Sequence, residues 1–217
     1  REGRLLIEAA ERNKRVIQHG TQVRSTRMMQ EAVQALREGL IGDVLVAKCW
    51  NIQRRRTIGK DRPSSPPPGL DYDNWVGPAS MVAYQKNRGH GEWHWWYDFG
   101  TGDLGNDGIH DVEYARWGLG VTTHPSKTSA LGGKFFFDDD QQFPDTQQVA
   151  FEYPGDGKPG SRRLLIFEMR LWSTNYPHNT DSGAEFYGTK GQMYLSRRGK
   201  IDVRGDRNEP VKVSIQP

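Results

Sequence analysis

The chain has 217 residues, of which 35% are apolar and 11% aromatic, enough for one well-cored domain in which large rings supply much of the burial. Its formal net charge is +3, yet the basic residues are scattered and only Arg54-Arg55-Arg56 forms a run, which argues against a nucleic-acid-binding face. No stretch approaches the roughly 18 apolar residues of a membrane-spanning helix, and a single cysteine, Cys49, excludes an internal disulfide.

The chain opens in a helical pattern, with Leu5, Leu6, Ala9 and Ala10 forming an apolar stripe among charges. Val16-Ile-Gln-His19 then reads as a short strand ended by Gly20. One helix and one strand cannot make a domain, so residues 1–24 are expected to be a cut piece of an α/β unit and residues 25–217 the domain proper. Met28, Met29, Ala32, Val33 and Leu36 recur at helical spacing, and Gly39 stops that helix. A strand at 43–50 carries Cys49 in an apolar alternation, as a buried thiol rather than a nucleophile. Four prolines between Thr57 and Gly69 predict an exposed loop.

Residues 104–118 predict a second long helix, with Ile109, Val112, Ala115, Arg116 and Trp117 on its apolar face and Gly118 and Gly120 as stops. Strands follow at 127–131, 147–153, 163–171, 184–187, 192–195 and 211–215, separated by turns such as Pro154-Gly-Asp-Gly157. Helices early and consecutive strands late predict an α+β fold, an open and mostly antiparallel sheet with helices packed on one face.

Several pieces together resemble the Gfo/Idh/MocA oxidoreductases: the opening helix and strand to Gly20-Thr-Gln22, the Pro67 to Pro78 segment, the Gly102 to Gly120 strip and Phe186-Tyr-Gly-Thr-Lys-Gly191. The likeness is nearest to a bacterial branch with a Trp-rich segment before a Gly-Asn-x-Gly-x-His strip. It implies that residues 1–24 are a remnant helix and strand of a Rossmann-type domain and that 25–217 form a substrate and oligomerisation domain. The implied cofactor is NAD or NADP and the implied substrate a sugar or polyol. The implied self-association is a homo-oligomer through the sheet face, with no nucleic acid or membrane as partner. The chain carries no Gly-x-Gly-x-x-Gly fingerprint and no Glu-Lys-Pro, so cofactor binding by this chain alone is not expected. The compartment stays open between cytoplasmic and exported.

Oxidising a hydroxyl requires a proton acceptor that titrates near neutrality, which suits the imidazole of His110. The resemblance gives His110 that role, and Asn106, one turn earlier on the expected helix, would orient the same ligand. The family commonly has Asp where Asn106 stands, and an amide cannot accept the proton. Asp107 is a further candidate for substrate contact. Arg88, His90, Trp93 and His94 form a cluster suited to a pocket wall, because an indole covers the apolar face of a sugar and Arg or His meets its hydroxyls.

Two rival readings accompany this one. His90 and His94 have the i, i+4 spacing of a zinc pair, and His110 as third ligand would suit a stand-alone hydrolase or lyase acting on glycosides or lactones. A noncatalytic sugar-binding or assembly module is the other. Asp138-Asp-Asp140 reads as a solvated turn, since it lacks the glycine and terminal Glu of a calcium loop.

Overall fold

The computed structural model describes residues 2–215; Arg1, Gln216 and Pro217 of the two expected segments lie outside the described residues. A seven-stranded mixed sheet forms the centre: β1 (Val44–Asn51), β2 (Lys127–Gly133), β3 (Thr146–Tyr153), β4 (Arg163–Arg170), β5 (Ser182–Gly188), β6 (Gln192–Ser196) and β7 (Lys200–Arg204). The order is β2-β3-β4-β1-β5-β6-β7. β1 runs parallel to β4 and antiparallel to β5, and every other pairing is antiparallel. The α+β fold with an open, mostly antiparallel sheet is therefore the one expected.

Helix α5 (Gly108–Leu119) packs on β1, β4 and β5 on one face of this sheet, and α2 (Arg27–Arg37) packs beside it. α2 buries the five residues that its spacing marks, Met28, Met29, Ala32, Val33 and Leu36, and ends before Gly39 at a φ of 82°. Cys49 is fully buried on the same side, and burial pushes its thiol well above the ordinary range.

Three expectations fail locally. Residues 16–19 are not a strand: Val16 is wholly exposed, and an isolated extended segment with no neighbour to bond has nothing to stabilise it. The preceding helix, α1 (Glu2–Arg12), buries no residue. Residues 211–215 form no strand either; the last strand is β7, and Val213 and Ile215 instead lean on the core as coil. The expected helix over 104–118 is broken into α4 (Gly102–Asn106) and α5 at Asp107, whose φ of −115° interrupts the helical ladder.

The buried face of α5 also differs from the expected one. It is Asp111, Tyr114, Ala115, Gly118 and Leu119, whereas Val112, Arg116 and Trp117 are half-buried. Glycine decides this. A Cβ on Gly118 would stand 2.4 Å from the Phe186 ring and one on Gly108 2.7 Å from the Phe167 ring, so these two glycines set the line along which α5 meets the sheet. Gly120, not Gly118, is the left-handed stop.

The loop at 57–69 has no regular structure, as its prolines require. It is anchored by Asp139, which accepts from the Thr57 hydroxyl at 2.9 Å, the Ile58 amide at 3.0 Å and Lys134 at 2.8 Å. The Asp138–Asp140 segment is thus only partly the solvated turn expected, because Asp139 is buried as a loop clasp.

Candidate functional site

The strip from Gly102 to Asp111 lies where α4 turns into α5. Its glycines are consumed by packing: a Cβ on Gly102 would meet Phe143 at 2.7 Å, one on Gly105 would meet Thr101 at 2.2 Å, and Gly108 faces Phe167. Small residues here let two short helical turns sit against bulky neighbours. None of the three presents an open backbone cradle of the kind a pyrophosphate needs. These three glycines therefore form no phosphate cradle for a nicotinamide dinucleotide, and no hydride step is assigned to them.

Charge holds the bend. Asp103 is 1% exposed and takes a bidentate clamp from Arg55, Nε to Oδ2 at 3.1 Å and Nη2 to Oδ1 at 2.9 Å. Arg55 also reaches Asp107 Oδ2 at 3.2 Å, while Arg197 binds the other oxygen of Asp107 at 3.0 Å. Arg197 Nε stands 3.4 Å from fully buried Asp111, whose Oδ1 accepts from the Tyr114 hydroxyl at 3.0 Å. Burial raises the Asp111 carboxyl from 3.8 to about 7, against the opposing pull of Arg197 and Tyr114. Both arginines are held above their ordinary value by these carboxylates, against the cost of their own burial.

His110 is half-buried in the first turn of α5, and its amide donates to the Asp107 carbonyl at 3.1 Å. Asn106 ends α4, is exposed and donates to Asp103 Oδ1 at 3.3 Å. The two residues stand on separate helical turns rather than one continuous helix face, because Asp107 breaks the ladder between them. Asp107 has both oxygens engaged by arginines, which makes it a bridge in the bend.

The Trp-rich segment divides differently. Trp95 and Trp96 are buried core residues, whereas Trp93 is 40% exposed. His90–Trp95 is a 3₁₀ helix that packs against α4, with the His94 backbone set tightly on Gly100. His94 Nδ1 bonds the Gly91 carbonyl, and its Nε2 is buried without a partner. At three residues per turn, residues four apart diverge by about 120°, so His90 and His94 do not share a face. Among the described residues no three His, Cys, Asp or Glu side chains gather at metal-binding distance.

Arg88 is buried and His90 exposed, and both line a cavity of about 320 Å³ whose other walls include Leu70, Tyr72, Trp75 and Tyr84. Arg55, Arg197, Asp103 and the burial of Asp111 carry no mark of this role in the linear sequence. Arg55 sits in a run that reads as solvated, and no spacing rule links Arg197 in a turn after β6 to a bend between α4 and α5. Only a sheet register brings them together.

Residues 48–153 match the model of an oxidoreductase family's C-terminal alpha/beta domain. A comparison with curated proteins returns no match. Solved structures resemble the fold at low identity. An NAD binding oxidoreductase from Klebsiella pneumoniae is 15% identical with a TM-score of 0.64, covering 98% of this chain and 50% of that one. An oxidoreductase from Thermotoga maritima is 16% identical with a TM-score of 0.62, covering 99% and 52%. A levoglucosan dehydrogenase in complex with NADH and levoglucosan is 18% identical with a TM-score of 0.64, covering 98% and 50%. The chain thus spans about half the length of these structures.

Proposed function

From the match of residues 48–153 to the C-terminal alpha/beta domain of the Gfo/Idh/MocA oxidoreductases, we propose that the chain is the substrate-binding part of an NAD(P)-dependent oxidoreductase acting on a sugar or polyol. In this reading residues 25–217 bind the substrate and support self-association, and residues 1–24 belong to the nucleotide-binding side. The observation that carries it is the presentation of His110, half-buried at a bend that four charged side chains hold rigid. A proton-transfer group gains most from such a support, because misplacement of the reacting atoms is costly.

His110 takes the hydroxyl proton of the substrate through its imidazole. Asn106 orients that hydroxyl as a hydrogen-bonding amide and leaves proton transfer to His110 alone. Arg88, His90, Trp93 and His94 contribute to the substrate wall, and Asp107 acts mainly through the bend. NAD or NADP is the cofactor the family implies. Levoglucosan bound to a structural neighbour supports a carbohydrate substrate in kind.

The test is sugar-dependent reduction of NAD or NADP by the full-length protein and by its His110→Ala variant. Loss of about 10²- to 10⁴-fold in kcat with sugar binding retained is expected; turnover unchanged in the variant would remove His110 from the chemistry. Hydrolysis of glycosides or lactones without any nicotinamide cofactor would favour the hydrolase reading instead.

A further inference from the structure

We propose that the cavity walled by residues 67–90 recognises a carboxylate on a sugar-sized ring, so that the substrate class is a sugar acid of hexuronate type with Arg88 as its anion anchor. The proposal rests on the sugar reading above and adds charge to it.

The missing charge is visible in the molecule. Arg88 is 7% exposed, and its guanidinium lies 4.2 Å over the Trp96 ring. Among the described residues its acceptors are neutral: Nη1 donates to the Ala83 carbonyl at 2.6 Å and Nη2 to Gln85 Oε1 at 2.8 Å. Nε is buried with no acceptor, and the Tyr72 hydroxyl in the same wall is likewise buried and unpartnered. A guanidinium has five N–H donors and is always charged, so three remain unused here. Burying a cation without a counter-charge is costly.

The same chain does otherwise where it half-buries guanidinium groups elsewhere. Arg55 has Asp103 and Asp107, and Arg197 has Asp107 and Asp111. Among the described residues Arg88 has no carboxylate within ion-pair reach. An anion from outside the chain would complete the pattern. Arg88 is the one guanidinium in a lining that holds no carboxylate, which matches one negative charge, and the planar fork matches a carboxylate in shape.

The walls specify what carries that charge. Tyr72 and Trp75 stack at 5.6 Å with 14° between their planes, and Tyr84 meets Tyr72 edge-on at 5.4 Å. This makes a rigid surface for the apolar face of a ring. His90 and the Tyr72 hydroxyl border it as partners for ring hydroxyls. The cavity of about 320 Å³ lies at the small end of ligand pockets, which suits a monosaccharide rather than an oligomer.

The experiment is calorimetric titration of the 217-residue chain with D-glucuronate, D-glucose and benzoate, repeated on Arg88→Gln and Tyr72→Phe. Glucuronate is expected to bind at least tenfold more tightly than glucose, Arg88→Gln to erase that difference, and Tyr72→Phe to weaken glucuronate several-fold while leaving the circular dichroism spectrum unchanged. Equal binding of the two sugars, or a preference that survives Arg88→Gln, overturns the charge recognition and leaves the sugar reading intact. Benzoate binding without either sugar overturns the sugar acid and strikes the sugar reading as well. Absence of binding by all three overturns the site. If Arg88→Gln fails to fold, the wild-type contrast between glucuronate and glucose and the Tyr72→Phe titration decide.

Discussion

Cys49 and Asp111 show how far a single residue can be read. Cys49 sits in an apolar alternation, and its full burial follows from that pattern. It should resist thiol reagents in the folded chain and react fully in denaturant, as a colorimetric thiol assay will show; rapid modification without unfolding would contradict the packing. Asp111 is different, because nothing in its neighbourhood along the chain announces a buried acid. Burial raises its carboxyl from 3.8 to about 7, so the folded state keeps the proton over a range where the unfolded chain releases it. The contribution of this group to stability is complete below pH 3.8 and is lost as pH rises through about 7. Relative to wild type, Asp111→Asn should flatten that decline, with a difference on the order of 4 kcal/mol in urea denaturation between the ends of the window. Parallel pH profiles for the two proteins would show that Asp111 is ionised throughout.

Glycines govern α5 at the scale of the element. Gly118 inside a helix costs about 1 kcal/mol of propensity relative to Ala, so on local grounds Gly118→Ala should stabilise. The methyl would stand 2.4 Å from the Phe186 ring and 3.0 Å from Leu36, so strain wins. Net destabilisation of about 1–3 kcal/mol is expected, read as a lower urea midpoint; a raised midpoint would mean that α5 can lift from the sheet without cost. The break at Asp107 belongs to the same scale. Arg55→Met leaves Asp103 buried without its clamp, and the expected loss is about 3 kcal/mol or more in chemical denaturation, because the remaining charge is uncompensated.

At the scale of the whole molecule, among the described residues no α-helix packs on the second sheet face, where only the 3₁₀ turn at Pro177–Asn179 covers Trp50 through His178. Leu131, Gln148, Glu168 and Trp50 follow one another across four strands on that face, joined there by the Lys48 and Arg170 pairs to Glu168. Leu131 is 79% exposed at the edge. If two copies associate through this face, Leu131→Glu should weaken the association about tenfold in sedimentation equilibrium and change monomer stability by less than about 0.5 kcal/mol. Association unaffected by the substitution would place the interface elsewhere.

Much of the architecture was legible in the linear pattern. The five buried positions of α2 record a helical period directly, and apolar runs bounded by turn residues mark the strand around Cys49 and strands β3 to β6, although β5 and β6 bury residues on both faces. Residues 16–19 and 211–215 carry strand composition, but a strand exists only where a neighbour accepts its hydrogen bonds, and that depends on the rest of the fold. The candidate site divides in the same way. His110 and Asn106 could be picked out in sequence because they lie in one short strip. Tertiary structure alone decided that Arg55 and Arg197, far apart in the chain, clamp the bend beneath them, and that Arg88 is a buried cation lacking a counter-charge. Charge pairing acts through space, and no local period encodes it.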